Sequence, residues 1–332
     1  MKQQNSFLTR VNRFLAYPLN LKINTILKKI VLVKEVLISS VGMFFAKFFI
    51  NSRVGRSIFF ESLPKNEFVY SKTSEGICYL VSASDKIIGK SIYVEKKSFD
   101  AQHIFNAVSL IPEKKTILLD VGANIGTIGI EALSKNYFER CISFEPEPSN
   151  FKLLELNVSL NGLDKKFELR NEALSNERGK SIEFQLSNIN HGDHRVHIPG
   201  AVGQHEEDNR KIISVKVNTL DTVIKDEDIS KSFLFMDTQG FEGHVLMGAK
   251  KLLSKNIPIV TEFWPYGLIR ANGLHLFYEA LSKTKYTSMW DLRYPAIRLD
   301  FSIRTLKKIQ QDLGENGAHT DLLFINEQAE TM

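Results

Sequence analysis

The 332-residue chain has little cysteine, little proline and no apolar run long enough to cross a bilayer. Its two cysteines, Cys78 and Cys141, cannot build a disulfide framework or a thiolate zinc site, and such usage points to a reducing, cytoplasmic setting. Nine prolines and 19 glycines exclude collagen-like and linker-like chains, and a hydrophobic content of 43% excludes disorder. The apolar stretch Val36–Ala46 has 11 residues, against the roughly 20 that a spanning helix requires. It also starts too far from the first positive charges to read as the core of a secretory signal.

Acid is scarce at one end only. Residues 1–56 hold ten basic side chains against a single acid, Glu35, whereas the remainder carries 33 basic and 37 acidic groups. A mildly acidic body argues against nucleic acid as its partner. In the basic segment, Ile23, Ile26, Leu27, Ile30 and Val31 recur at helical spacing beside Lys22, Lys28 and Lys29. Residues 22–50 are therefore expected to include a basic amphipathic helix, fit to lie on the inner, anionic face of a membrane or to pack against the body. After about residue 58 come short runs, Phe68–Tyr70, Ile77–Val81, Ile87–Ile88 and Ser91–Val94, which read as small antiparallel strands. Residues 99–110 read as a helix with Phe99, Ile104, Phe105 and Val108 near one face. The expected division is an N-terminal extension over 1–56, a β-hairpin segment over 57–98 and a main domain over 99–328.

That domain opens at Thr116–Gly129: a buried strand ending in Asp120, a glycine-containing turn, then helical periodicity from Ile125. This is the first βα unit of a doubly wound, mostly parallel sheet, whose ligands bind at the carboxyl edge. Gly122 permits the sharp turn, and Gly126 is expected to leave room for a ligand against the helix start. The spacing Gly122-x-x-x-Gly126-x-x-Gly129 departs from the dinucleotide fingerprint Gly-x-Gly-x-x-Gly, and Asp120 beside the loop would repel a pyrophosphate. A ligand carrying an ammonium group, such as S-adenosylmethionine, suits it better, with a nicotinamide oxidoreductase as the alternative. A second strand, Cys141–Phe144, delivers Glu145, placed to accept bonds from both hydroxyls of a ribose. Pro148–Leu160 reads as a helix and Phe167–Leu174 as a third strand, with Asn171, Glu172 and Ala173 near an adenine ring. Ser232–Glu242, an apolar strand delivering polar groups to the same edge, and the strand Ile257–Trp264 continue the sheet, Gly243–Leu253 and Leu274–Leu281 its helices, and Tyr286–Leu292 with Asp321–Asn326 form the antiparallel closing pair.

The segments Asp120–Gly126, Phe144–Pro146, Asn171–Leu174, Val217–Asp221, Asp237–Glu242 and Val245–Ala249 together resemble those of an FkbM-family methyltransferase. The resemblance implies a class I, Rossmann-like α/β fold, S-adenosyl-L-methionine as methyl donor, and O-methylation of a sugar, glycan, glycolipid or secondary metabolite. Cofactor contacts would fall on Asp120, Gly122, Ala123, Asn124, Gly126, Glu145, Pro146, Asn171, Glu172, Ala173 and Asp237. Gln239 and Met236 depart from the acid and lysine of many members, which leaves a non-catalytic binding or scaffold protein as a further alternative.

Methyl transfer from a sulfonium asks the protein to align acceptor and donor, to take the hydroxyl proton and to exclude water. His194 or Asp237 is the expected base, with Arg195 holding substrate. His191, Asp193, Gln239, Glu262, Trp264 and Tyr266 are the expected acceptor contacts, the two aromatics as pocket wall. His191, His194 and His197 with Asp193 also have the ligand types of a zinc or manganese site, but the Gly192 and Pro199-Gly200 breaks leave them on a loop rather than on one helix face, so no metal is expected.

Overall fold

A computed structural model describes residues 51–200, 203–205 and 207–327. The basic segment over 22–50 lies outside the described residues. Among those described, no helix is long and apolar enough to cross a membrane.

The described residues open with a helix, Arg53–Ser62, and a hairpin of β1 (Phe68–Lys72) and β2 (Cys78–Ser82). Where short strands are expected at Ile87–Ile88 and Ser91–Val94, the backbone is instead one helix, Ile88–Glu95. Asp85 explains the correction. Its carboxylate accepts from the N–H groups of Ile87, Ile88 and Gly89 at 2.9–3.1 Å, which satisfies the free donors of a first helical turn. A helix Ala101–Leu110 then leads into the main sheet.

The sheet comprises β3 (Ile117–Val121), β4 (Arg140–Phe144), β5 (Phe167–Arg170), β10 (Ser232–Met236), β11 (Ile259–Phe263), β12 (Ser288–Asp291), β13 (Arg298–Asp300) and β14 (Thr320–Ile325). Their spatial order is β13-β12-β14-β11-β10-β3-β4-β5. The five strands from β5 to β11 run parallel, and β14 enters antiparallel between β11 and β12. This is the doubly wound α/β architecture that the strand and helix periods predict. Strands β3, β10 and β11 are buried along their whole length because apolar residues point to both faces and helices cover both. The order reverses between β3 and β10, which opens a crevice at their carboxyl ends.

Two expected elements are divided. Strand β5 stops at Arg170, and after Asn171 and Glu172 the chain forms β6 (Ala173–Leu174) in a separate four-stranded sheet with β7 (Ser181–Leu186), β8 (Arg195–Val196) and β9 (Lys211–Asn218). The helix expected over 243–253 is two, Glu242–Met247 and Lys250–Ser254.

The hairpin shares its core with the sheet: Phe60, Tyr79, Val81 and Ile92 pack in one cluster with Ile125, Leu154 and Phe233. Its open edge is covered by amide side chains of the helix Pro148–Leu160 and its cap. Asn161 accepts from Cys78 N–H at 2.9 Å and donates to its carbonyl at 2.7 Å, and Asn157 does the same for Leu80 at 2.6 and 3.3 Å. Asn157, fully buried, also donates to Ile125 O at 3.0 Å in the glycine-containing turn. These amides take the place of a further strand. Asn157→Ala should therefore lower the unfolding free energy by about 2–4 kcal/mol, since it orphans several buried backbone groups. Urea titration against Asn161→Ala, at the solvated end, should show the smaller loss there.

Candidate functional site

At the switch point lies an open cleft. Its floor is the turn after β3. Gly122 (φ 86°) is required there because a Cβ would lie 1.8 Å from the carbonyl oxygen of Asp237, so the turns after β3 and β10 touch backbone to backbone. Gly126 (φ 92°) answers a different need from the one expected. A Cβ would meet Leu154 Cδ1 at 2.7 Å and Ile130 Cδ1 at 2.9 Å, so this glycine serves helix packing rather than ligand room. Asn124, also at positive φ, presents its N–H to Glu145 Oε2 at 2.9 Å.

Twelve of the expected site residues reach the cleft: Asp120, Gly122, Ala123, Asn124, Glu145, Pro146, Glu172, Ala173, His191, His194, Asp237 and Gln239. Apolar walls come from Phe99, Phe144, Phe184, Phe235 and Phe241. The roof is the loop around His191, between β7 and β8. Its carbonyl accepts from Asn124 Nδ2 at 2.8 Å and Asn150 Nδ2 at 3.0 Å, and its Nε2 lies 3.1 Å from Ser84 Oγ.

The carboxylates of this cleft sit in little water. Burial pushes the Asp120 carboxyl up to about 7, with Ser143 and the Gly129 N–H pulling the other way. Burial likewise raises Glu145 to about 8 against bonds from the backbone of Glu147 and Asn124. Asp237 is also raised by burial, partly offset by Gln239, whose Nε2 donates to Asp237 Oδ1 at 2.7 Å and to Glu262 at 3.2–3.3 Å. Burial and the charges of Asp237 and Glu242 drive Glu262 well above its ordinary range. Asp237, Glu242 and Glu262 bring one oxygen each within 4.8 Å of one another, the one such cluster among the described residues. His191 and His194 face each other at 5.4 Å between ring centroids, but His197 turns to Glu183 at 3.7 Å, so the three imidazoles do not converge.

The acceptor-side expectations need correction. Arg195 is 2% exposed and is held by Asp193 and Glu207, with its guanidinium 4.7 Å over the Trp264 ring. Asp193 is further bound by Arg210. Tyr266 donates to Glu207 Oε1 at 2.9 Å and accepts from Gln204 N–H at 2.8 Å. Arg195, Asp193, Trp264 and Tyr266 thus form a buried ionic and aromatic block behind the cleft, and Glu262 lies beneath Gln239; none of the five lines the cleft. Asn171 also stands outside, as a strut donating to the carbonyls of Glu145 and Pro146 at 2.8 and 3.1 Å. His194 lines the cleft but is spent as a base: Nδ1 accepts from Ser187 N–H at 3.0 Å, and burial with nearby His191 and Arg210 lowers the ring to about 3.

Among the titratable residues of the cleft, three were missed from sequence: Asp100, His103 and Asp321 at its far end. His103 lies on the helix recognised by its apolar face, and Asp321 is the second residue of β14, a strand recognised as a closing element. A histidine off an apolar stripe was the available signal.

Residues 120–282 match the model of the methyltransferase FkbM domain. The 2-O-methyltransferase NoeI of Sinorhizobium fredii is 27% identical over 165 residues, which span 47% of this chain and 66% of that protein, just under two thirds of its length. Similar solved structures include a protein of the NADB-Rossmann superfamily from Streptococcus agalactiae (12% identity, 69% of this chain and 70% of that one, TM-score 0.38). The tRNA methyltransferase TrmK of B. subtilis gives 12%, 69%, 67% and 0.37. A geranyl diphosphate methyltransferase in complex with SAM gives 11%, 68%, 83% and 0.35.

Two substitutions test this description. Asp120 has a folded-state pKa above its unfolded value, so its contribution is full at acid pH and is lost as pH rises through about 7. Asp120→Asn should accordingly melt with the wild type at pH 4 and be more stable by on the order of 1–2 kcal/mol at pH 8. Arg195→Ala should cost about 3–5 kcal/mol of stability by taking the guanidinium from the buried Glu207 and leaving Asp193 to Arg210 alone. Denaturant unfolding reads both.

Proposed function

We propose that the chain, whose residues 120–282 match the methyltransferase FkbM domain, is a member of that family and an S-adenosylmethionine-dependent O-methyltransferase acting on a hydroxyl of an uncharged sugar or glycan. The observation that carries this reading is the charge of the cleft. Among the described residues its lining includes Asp100, Asp120, Glu145, Glu172, Asp237 and Asp321 and not one lysine or arginine. Such a lining favours a cationic donor and a neutral acceptor, and it disfavours phosphorylated sugars and nucleic acid.

The donor set fits S-adenosylmethionine. Glu145, at the tip of β4, keeps lone pairs for ribose hydroxyls beyond the two backbone donors it accepts. Asp120 and Asp237, one on either side of the turn, would ionise against the ammonium of the amino-acid end, which offsets the burial that raises both. Glu172 and Ala173 would flank the adenine, and Asn171 holds the turn that presents Glu145. When bound, the cofactor supplies a methyl group already activated by its sulfonium. The chain supplies position, dryness and the removal of a proton. The roof around His191 excludes water, since its carbonyl is pinned to both the turn after β3 and the helix Pro148–Leu160. Gln239 holds the Asp237 and Glu262 carboxyls in place beside the acceptor end. In this reading residues 22–50 bring the enzyme to the inner face of a membrane, where a lipid-linked acceptor would be met.

Calorimetric titration with S-adenosylhomocysteine should show saturable binding, weakened at least about tenfold in Asp120→Ala, and NADH should give no heat. Methyl transfer from labelled S-adenosylmethionine should reach neutral methyl glycosides in preference to the corresponding sugar phosphates. Binding of NADH without S-adenosylhomocysteine, or preference for the phosphates, would overturn the reading.

A further inference from the structure

At the end of the cleft away from Glu145, the sheet and the helix Ala101–Leu110 bring together an imidazole and a carboxylate that the alignment of motifs does not include. Nδ1 of His103 is in direct contact with Oδ2 of Asp321, the second residue of β14. The His103 side chain is 35% exposed and that of Asp321 13%. The imidazole is thus open to a ligand while the acid behind it is mostly enclosed. Both line the cleft together with Asp237 and Gln239.

We propose that His103 is the general base of the methyl transfer and that Asp321 is its positioning residue. The inference rests on the O-methyltransferase reading given above. With Nδ1–H donated to Asp321, the neutral ring carries its lone pair on Nε2, the nitrogen with no protein partner among the described residues. The acceptor O–H proton passes to Nε2, and the O–H electron pair stays on oxygen to form the bond to the methyl carbon. The S–C pair remains on sulfur as a thioether. Charge is conserved, because the positive charge of the sulfonium ends on the imidazolium, where Asp321 faces it.

The surroundings suit that task. Facing the ring are Asp321 from β14, Asp237 after β10 and Asp100 at the head of its own helix; His319, just before β14, faces Asp100. Burial alone would lower the imidazole, but the bond and charge of Asp321, with Asp100 and Asp237, bring it above its ordinary value of 6.5. The competing bases are less fit. Nδ1 of His194 is occupied by Ser187 N–H, so its proton sits on Nε2, and Asp237 is engaged by Gln239.

The test uses the full chain saturated with S-adenosylhomocysteine and labelled with 15N in its imidazoles. The His103 ring should titrate above 6.5 with its neutral form protonated on Nδ1, and Asp321→Asn should move that midpoint down. In transfer to neutral methyl glycosides, His103→Gln should lower kcat by about 10²–10³, remove the rising limb of the pH profile and leave the dissociation constant for S-adenosylhomocysteine within about threefold. Asp321→Asn should lower kcat by about tenfold or more and shift that limb toward lower pH. A His103 midpoint indifferent to Asp321→Asn, an unchanged pH profile in His103→Gln, or loss of S-adenosylhomocysteine binding in step with turnover would each overturn the proposal. Wild-type protein that binds S-adenosylhomocysteine and methylates no glycoside would sink the acceptor reading, while the imidazole titration still decides whether the dyad exists.

Discussion

The contact on which the site depends is the meeting of two backbones, the turn after β3 against the turn after β10. Strands β3 and β10 run parallel in register from Ile117–Ser232 to Val121–Met236, and the ladder continues as Asp237 N–H donates to Val121 O at 3.0 Å. Gly122 then lies so close to the Asp237 carbonyl that no side chain fits between them. On the other flank Gly122 and Ala123 both donate to Phe144 O at 3.0 Å. Three strand ends are thereby fixed to one another, so Asp120 on β3 and Glu145 and Asp237, each the first residue after its strand, are held in place by the sheet. Buried carboxylates with raised pKa values are tolerated here because the surrounding sheet determines their positions whether or not a cation faces them.

A second layer acts on that frame. The roof over the cleft belongs to the four-stranded sheet inserted between β5 and β10, and the ionic block of Arg195, Asp193, Glu207 and Arg210 backs it. This block is costly to desolvate and therefore depends on every partner being present. Its benefit is geometric. It turns a segment rich in glycine and polar residues into a wall that delivers His191 and Phe184 to the cleft.

Much of this was legible in the sequence, for identifiable reasons. The strand ending in Asp120 and the one ending before Glu145 are short apolar runs closed by a turn, and the helix Pro148–Leu160 is opened by Pro148 and capped by Glu147, so local signals and final structure agree. Residues 87–94 misled because eight residues of apolar and small type fit either period, and the deciding group, Asp85, lies outside the run. Arg195, Trp264 and Tyr266 have the chemistry of acceptor contacts, yet their partners, Glu207 among them, arrive from elsewhere in the chain and bury them. His103 and Asp321 escaped for the converse reason, since a histidine off an apolar stripe has no partner in view until β14 is placed beside β11 and brings Asp321 to it.

Asn157 serves two parts of the molecule with one amide. The same Nδ2 group donates to Leu80 in the hairpin and to Ile125 in the turn that forms the floor of the cleft. Hairpin and floor consequently share one free-energy surface, and whatever steadies one steadies the other. Linkage makes this reciprocal: if occupancy of the cleft tightens the seating of the hairpin by some factor, a partner that grips the hairpin raises affinity in the cleft by the same factor. The hairpin that precedes the main sheet would in that case act on the cleft without touching it, through the single amide of Asn157.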